Sequence, residues 1–295
     1  MEEESCILER HRGRNKPSQQ QQGGKTLETQ QSQPSAASSL PYPLSTLPQK
    51  RNPALVIFNK DGTLIDFNSM WGGWIESQAW KIEAAAKLAI REQLYGAMGY
   101  DWNHRSVARF GALTTIPKKD LSRVAVDVLL VKGMVLSEAQ RVVRECWSLP
   151  DPVMTCRPLA DIPDIFRTIK QMGIKIAIRT TDNRESTKKS LAHMRLTNLV
   201  DDMVCGDDGL PIAPSPEQVW TLCNRLGVGV YNTVMVGDTP SDMALGRNSA
   251  CSLSVGVFGG ASALDDLAKD ADILISSLDK ITRVLFQYGQ QASQQ

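Results

Sequence analysis

The sequence lacks the features that mark membrane, nucleic-acid-binding and zinc-binding proteins. No apolar run approaches the roughly 20 residues that a membrane-spanning helix needs. With 33 basic and 32 acidic side chains, the net charge is only +1, so the charge balance does not favour a nucleic-acid partner. The six cysteines include no CxxC pair and no zinc-ligand spacing, and the three histidines are scattered. Without a secretory signal, these features predict a cytoplasmic protein with reduced cysteines.

The first 52 residues differ in composition from the rest of the chain. The stretches "PSQQQQGG" and "TQQSQPSAASSLPYP" are rich in Gln, Ser, Pro and Gly. Segments of this kind cannot bury enough apolar surface to offset their chain entropy. We therefore expect residues 1–52 to be a disordered N-terminal tail, either a linker or a segment that contacts a partner. The acidic opening "MEEES" argues against a mitochondrial presequence.

Residues 69–155 have the pattern of a small helical bundle. The stretch "WGGWIESQAWKIEAAAKLAIREQL" repeats tryptophan and isoleucine at helical spacing. The stretch "PKKDLSRVAVDVLLVKG" begins with Pro and ends with Gly, as helices often do. Ser137 is placed to cap a third helix, and a fourth helix is expected near residues 104–110.

From residue 159 onward, short β-branched strands such as "IKIAI" and "NTVMVG" alternate with helices. This alternation is typical of a parallel sheet with helices on both faces. The apolar segment at 54–58 belongs to the same sheet. The sequence therefore predicts an α/β fold, in which residues 53–68 and 156–295 form a Rossmann-like core and residues 69–155 form an inserted helical cap.

Polar side chains follow the strands of the predicted sheet, where ligands of such sheets usually bind. Alone, Thr180 or Asp242 would more often be a helix cap than a ligand. Together, the carboxylates and hydroxyls at these strand ends predict a magnesium-assisted phosphate site. The residues concerned are Asn59, Asp61, Thr180, Thr181, Asp238 and Asp242.

Four motifs at these strand ends resemble, in order, those of the haloacid dehalogenase (HAD)-like hydrolase superfamily. They read "KDGTL", "IRTTDN", "APSPEQ" and "GDTPSD", and the likeness extends over residues 54–287. Within the superfamily, the chain is similar to the phosphoglycolate-phosphatase-like branch with a helical cap. The resemblance implies magnesium-dependent hydrolysis of a small phosphorylated metabolite through an aspartyl-phosphate intermediate.

The resemblance also implies roles for the acidic positions. The residue at position 59 would be the nucleophile, and Asp61 would protonate the leaving group and then activate water. Magnesium would be held by the side chain at position 59, by the backbone carbonyl of Asp61 and by Asp238. Asp242 would support a metal-bound water.

The remaining motif positions would bind the phosphate group. The Thr180 hydroxyl and the Thr181 amide would hold phosphate oxygens, and a lysine in the third motif would offset the negative charge. In this chain, Ala213 stands at that lysine position.

Asn59 is the second departure, because the nucleophile position of the family holds an aspartate. An amide is neutral and poorly nucleophilic, so we expect hydrolysis to be lost or severely impaired and magnesium binding to be weakened. The two departures remove one negative and one positive charge, which leaves no unpaired buried partner. We therefore predict that Asn59→Asp recovers activity only together with Ala213→Lys.

Other cations could replace the missing lysine. Strand alternation directs Lys60 and Arg179 away from the predicted site, so neither is expected to do so. Arg184, Lys118 or Lys119 could reach inward, which we regard as a less favoured arrangement.

Three functional hypotheses remain open at this point. The first is a pseudophosphatase that binds a phosphorylated metabolite or a protein partner without turnover. The second is an active magnesium-dependent phosphomonoesterase in which Asp61 activates water directly. The third is a non-catalytic scaffold whose tail or cap makes the contacts.

Overall fold

The computed structural model describes residues 52–108, 111–258 and 264–292. The predicted tail, residues 1–52, lies outside the described residues except for Asn52. The main sheet of the described chain consists of parallel strands. They are β1 (Leu55–Asn59), β4 (Lys175–Arg179), β5 (Asp202–Val204), β6 (Thr233–Gly237), β7 (Leu253–Val257) and β8 (Ile273–Ile275).

The strand order is β5-β4-β1-β6-β7-β8, which places β1 in the middle of the sheet. Its five residues are buried throughout, as expected for a parallel strand covered on both faces. Val56 and Phe58 pack into the larger apolar core, which continues into the inserted segment through Trp71. Leu55 and Ile57 pack into a second cluster on the opposite face. The order reverses beside β1, which is where such folds bind ligands.

Helices cover both faces of this sheet in the described residues. Most follow a strand directly, which gives the strand–helix alternation expected from the sequence. They are α6 (Ile162–Gln171), α7 (Arg184–His193), α8 (Glu217–Leu226), α9 (Pro240–Asn248), α10 (Leu264–Leu267) and α11 (Ile281–Ala292). The predicted fold class, an α/β parallel sheet with an inserted helical cap, is confirmed.

In the sequence, the cap segment lies between β1 and the other strands of the main sheet. Its helices are α1 (Phe67–Ala86), α2 (Arg91–Met98), α3 (Ala112–Thr115), α4 (Leu121–Val131) and α5 (Leu136–Cys146). The first begins at Phe67, two residues before the predicted boundary, because the Asp66 carboxylate accepts hydrogen bonds from the amides of Asn68 and Ser69. None of the helices in the described chain has the length and apolar character to cross a bilayer.

Two predictions for the cap are wrong. The segment is not helical throughout, because β2 (Tyr100–Asp101) and β3 (Ser106–Val107) form an antiparallel pair where a helix near 104–110 was expected. Strands of two residues are too short to show an alternating sequence pattern. Ser137 is not the N-cap of α5, since the helix begins at Leu136 and no side chain caps it.

A tight turn leads from β1 toward the cap. Gly62 has a φ angle of 91°, and a Cβ atom at this position would overlap the carboxylate of Asp238. Glycine is therefore required twice, by the left-handed backbone and by the close approach of Asp238.

We predict that Gly62→Ala lowers the unfolding free energy by about 2–4 kcal/mol, from backbone strain plus overpacking. Gly133→Ala is the matched control, because Gly133 has a φ angle of 89° but no heavy atom lies within 4 Å of the position that a Cβ would take. It should lose only the strain component, about 1 kcal/mol. Urea denaturation of both variants measures the difference, and equal losses would show that the approach of Asp238 is unimportant.

Candidate active site between the sheet and the cap

A cleft opens at the carboxyl ends of the central strands. The cap helix α3 forms the facing wall through Thr114 and Thr115. The structure thus brings together residues that are far apart in sequence, because the ends of parallel strands meet at one edge of a sheet. The predicted site residues lining the cleft are Asn59, Asp61, Thr181, Ala213 and Asp238.

The Asn59 side chain joins three parts of the site. Its amide nitrogen donates to the backbone carbonyl of Asp61 at 3.0 Å and to Asp238 Oδ1 at 3.1 Å. A longer contact of 3.5 Å reaches Asp242 Oδ2. Its Oδ1 accepts from the backbone N–H of Lys60 at 2.9 Å. This contact fixes the amide orientation, since a flipped amide would set N–H groups against each other.

This arrangement does not fit the magnesium ion that the family generally uses. The resemblance assigns the ion to the side chain at position 59, the Asp61 carbonyl and Asp238. Here the Asn59 amide nitrogen donates to the other two oxygen atoms, so it occupies their lone pairs. A cation between the three groups needs an oxygen, not an N–H group, at position 59. Among the described residues, no three His, Cys, Asp or Glu side chains group so that they could hold a metal ion.

Asp61 lies beside a buried lysine that the sequence patterns did not single out as a site residue. Lys60 is fully buried, and its Nζ lies 3.1 Å from Asp61 Oδ1 and 2.7 Å from Asp182 Oδ2. Burial alone would lower the pKa of Lys60, but Asp61 and Asp182 hold it above its ordinary value. Burial would raise the pKa of Asp182, whereas Lys60 holds it below its ordinary value. Both groups therefore stay charged at neutral pH.

The Asp61 carboxylate is only 7% exposed, and apart from the ion pair with Lys60 neither of its oxygen atoms has a donor among the described residues. A buried carboxylate of this kind retains acceptor capacity that a ligand or water in the cleft can use.

The hydroxyl-bearing positions differ in their exposure to the cleft. Thr181 lines it, whereas Thr180 is buried and its hydroxyl accepts from the backbone N–H of Asp182 at 3.1 Å. Thr63, which belongs to the first motif "KDGTL", donates to Asp238 Oδ1 at 2.8 Å.

The expectation that Arg179 points away from the site is wrong. Arg179 lines the cleft, and its Nη1 donates to Asp242 Oδ1 at 2.7 Å. Alternation within β4 does set it opposite Thr180, but in the ladder between β1 and β4 it is the direct partner of Asn59. Paired residues of parallel strands direct their side chains to the same face. The sequence does not reveal this register, so alternation alone gave the wrong answer.

Asp242 combines structural and site contacts. It forms a capping box with Thr239 at the start of α9, so the alternative interpretation as a helix cap is correct in part. The same carboxylate is fully buried and pairs with Arg179.

Comparisons with known proteins agree with this geometry. The sequence model of the haloacid dehalogenase-like hydrolases matches residues 53–249, well over half of the chain. The chain belongs to this family.

Several curated HAD-like relatives share part of the sequence. A pyrophosphatase, PpaX, from Halalkalibacterium halodurans is 29% identical over 130 residues, which cover 43% of this chain and 60% of the relative. A phosphoglycolate phosphatase from Aquifex aeolicus is 29% identical over 130 residues, covering 44% and 61%. The match thus spans less than two thirds of these relatives.

Solved structures share the fold at low sequence identity. A phosphonoacetaldehyde hydrolase-like protein from Oleispira antarctica has a TM-score of 0.56 and 17% identity, covering 84% of this chain and 98% of its own. A predicted phosphoglycolate phosphatase from Haemophilus somnus has a TM-score of 0.55 and 18% identity, covering 79% and 97%. Both lie below the identity at which function can be carried over.

Of the other cations considered for the HAD-like site, Lys118 is buried whereas Lys119 is exposed and Arg184 pairs with Asp208. Lys118 Nζ donates to the carbonyl of Leu113 and lies 4.4 Å from the centre of the Trp71 ring. Burial lowers the pKa of Lys118 to about 8, an effect that Asp61 and Asp182 only partly oppose. Nothing in the sequence distinguished it from Lys119, because its burial depends on how the cap packs.

Lys118 is predicted to make stability pH-dependent. Its pKa is about 8 in the folded chain and about 10.4 when unfolded. The unfolded state therefore holds more protons between these values, and the unfolding free energy rises with pH across that window, by about 3 kcal/mol in total.

Lys118→Met should remove that rise, and Lys119→Met is the matched control that should keep it. Urea denaturation of the natural chain and both variants between pH 7.5 and about 10.5 measures the slopes. Parallel slopes for the natural chain and Lys118→Met would show that Lys118 titrates normally.

Proposed function

We propose that this HAD-like chain binds a small phosphomonoester in the cleft between sheet and cap and hydrolyses it slowly or not at all. Relatives that carry the names phosphoglycolate phosphatase and pyrophosphatase support a small phosphorylated ligand. The observation that carries the impairment is Asn59, whose amide stands at the nucleophile position and donates to Asp61 and Asp238.

The chemistry follows from the amide. A nucleophile for phosphorus needs a charged or strongly activated oxygen, and the Asn59 oxygen is neutral and already accepts from Lys60 N–H. Loss of the aspartate raises the barrier by up to about 8 kcal/mol, or a million-fold in rate. Binding depends on other groups, namely Thr181 and Arg179 in the wall of the cleft.

A second candidate has its own supporting observation. The Asp61 carboxylate lines the cleft with Lys60 as its one charged partner among the described residues, so it can accept a proton from a water molecule that attacks phosphorus directly. The ester P–O bond then breaks, and Asp61 returns the proton to the departing oxygen. Such a route needs no covalent intermediate at Asn59 and would give slow but measurable turnover.

We predict that Asn59→Asp alone raises kcat/KM for at least one ester by about 100-fold or more, since it supplies the missing nucleophile. This differs from the expectation from the sequence, which also required Ala213→Lys, because Arg179 already lines the cleft as a cation. The measurement is phosphate release from a panel of small phosphate esters that includes phosphoglycolate and pyrophosphate, with Mg²⁺ in the buffer. Inorganic phosphate binding, followed by calorimetry on the natural chain, tests the binding half of the proposal.

Asp61→Asn in the natural background is the control. Robust turnover by the natural chain that this variant abolishes would favour the second candidate. Failure of phosphate and of every ester to bind would contradict the proposed ligand class and would favour a scaffold role.

A further inference from the structure

The cleft has a positive group although the family's lysine position holds Ala213. Among the described residues that line it, Arg179 is the one lysine or arginine. It comes from strand β4, where it pairs in register with Asn59, and Ala213 comes from the loop before α8. Both residues line the same cleft, and the positive charge lies on Arg179 instead of at position 213.

The Arg179 guanidinium is held firmly in this place. Nη1 donates to Asp242 Oδ1 at 2.7 Å, and Nε donates to Gln218 Oε1 at 2.8 Å. The residue is 5% exposed, so its contacts are shielded from solvent. Gln218 lies on α8 and Asp242 on α9, and the two helices together fix the orientation of the guanidinium.

The other nearby cations do not line the cleft themselves. Lys60 follows the last residue of β1 and pairs with Asp61, which lines the cleft, and with Asp182. Lys118 donates to a carbonyl inside the cap. Neither lines the cleft in the described structure, so Arg179 is best placed to face an anion there.

The acidic groups around Arg179 leave it available in part. Asp242 also accepts from the amide and hydroxyl of Thr239 through Oδ2, at 3.1 and 2.7 Å. Its negative charge is therefore shared between the start of α9 and the guanidinium. An arginine offers five donors in a planar fork, which suits a phosphate group while one edge stays on a carboxylate.

We propose that Arg179 supplies the positive charge for a bound phosphate ester, in place of the lysine that the family has at the Ala213 position. The charge has moved from the loop before α8 to strand β4, and Asp242 remains its partner. This inference rests on the proposed function for its ligand. It also replaces the expectation that Ala213→Lys must accompany Asn59→Asp, because the countercharge is already present.

The first test relocates the charge. Arg179→Met should lower the denaturation midpoint, because Asp242 and Gln218 lose their donor. Adding Ala213→Lys to this variant should restore at least half of the loss, while Ala213→Met adds similar volume without charge and should restore none. Equal effects of lysine and methionine at position 213 would overturn the inference, since packing alone would then explain them.

The second test keeps Arg179 in place, so it does not depend on whether Arg179→Met folds. Calorimetry with inorganic phosphate is run on the natural chain and on Ala213→Lys. If Arg179 provides the countercharge, the added lysine should change the affinity by less than about threefold, under 1 kcal/mol. A gain of about tenfold or more would show that the natural cleft lacks its cation and would overturn the inference.

The two tests separate the inference from the proposed function. Stability rescue by Ala213→Lys together with no phosphate binding in any folded variant would contradict the proposed ligand but support the relocated charge. Phosphate binding that Arg179→Met leaves unchanged would overturn the relocated charge and leave the proposed function standing. Arg179→Lys keeps the charge but not the planar fork, so it should retain more phosphate affinity than Arg179→Met and less than the natural chain.

Discussion

The hydrogen bonds of the Asn59 amide are the contacts around which this site is arranged. They join the end of β1 to the turn at Asp61 and to the carboxylate of Asp238 after β6. An aspartate in the same place would set carboxylate against carboxylate and would need a cation between them. The amide removes that repulsion by offering donors instead. The groups at this edge of the sheet are therefore held together by hydrogen bonds of the Asn59 side chain.

Two sets of buried ion pairs lie near these hydrogen bonds. Lys60 pairs with Asp61 and Asp182, and Arg179 pairs with Asp242. Buried pairs add little net stability, but loss of one partner costs about 3–5 kcal/mol because a charge is then left unpaired. Each cation is thus difficult to remove even where no turnover depends on it. The requirement for a stable fold is therefore sufficient to retain these ion pairs.

Much of the fold and the site could be predicted from the sequence, but the failures in the cap and at Arg179 have different causes. Asn59, Asp61 and Asp238 were placed correctly at one edge of the sheet, because the position of a residue just after a strand can be inferred from local pattern. Arg179 was not, because its orientation depends on the register between β1 and β4, which a short window of sequence does not encode. Local motifs predict where a residue lies along a strand or loop. The direction of its side chain depends on tertiary structure.

These positions also separate the two departures from the family pattern. Ala213 removes a lysine, but Asp242 keeps a cation because it pairs with Arg179. The aspartate that Asn59 replaces has no comparable substitute. In the described cleft, no carboxylate takes its place at the end of β1 beside the Asp61 carbonyl. The electrostatic match between the two changes is therefore weaker than their opposite charges suggest. We therefore expect the missing nucleophile at position 59 to limit turnover, whereas the positive charge at the wall of the cleft is a separate property that Arg179 supplies.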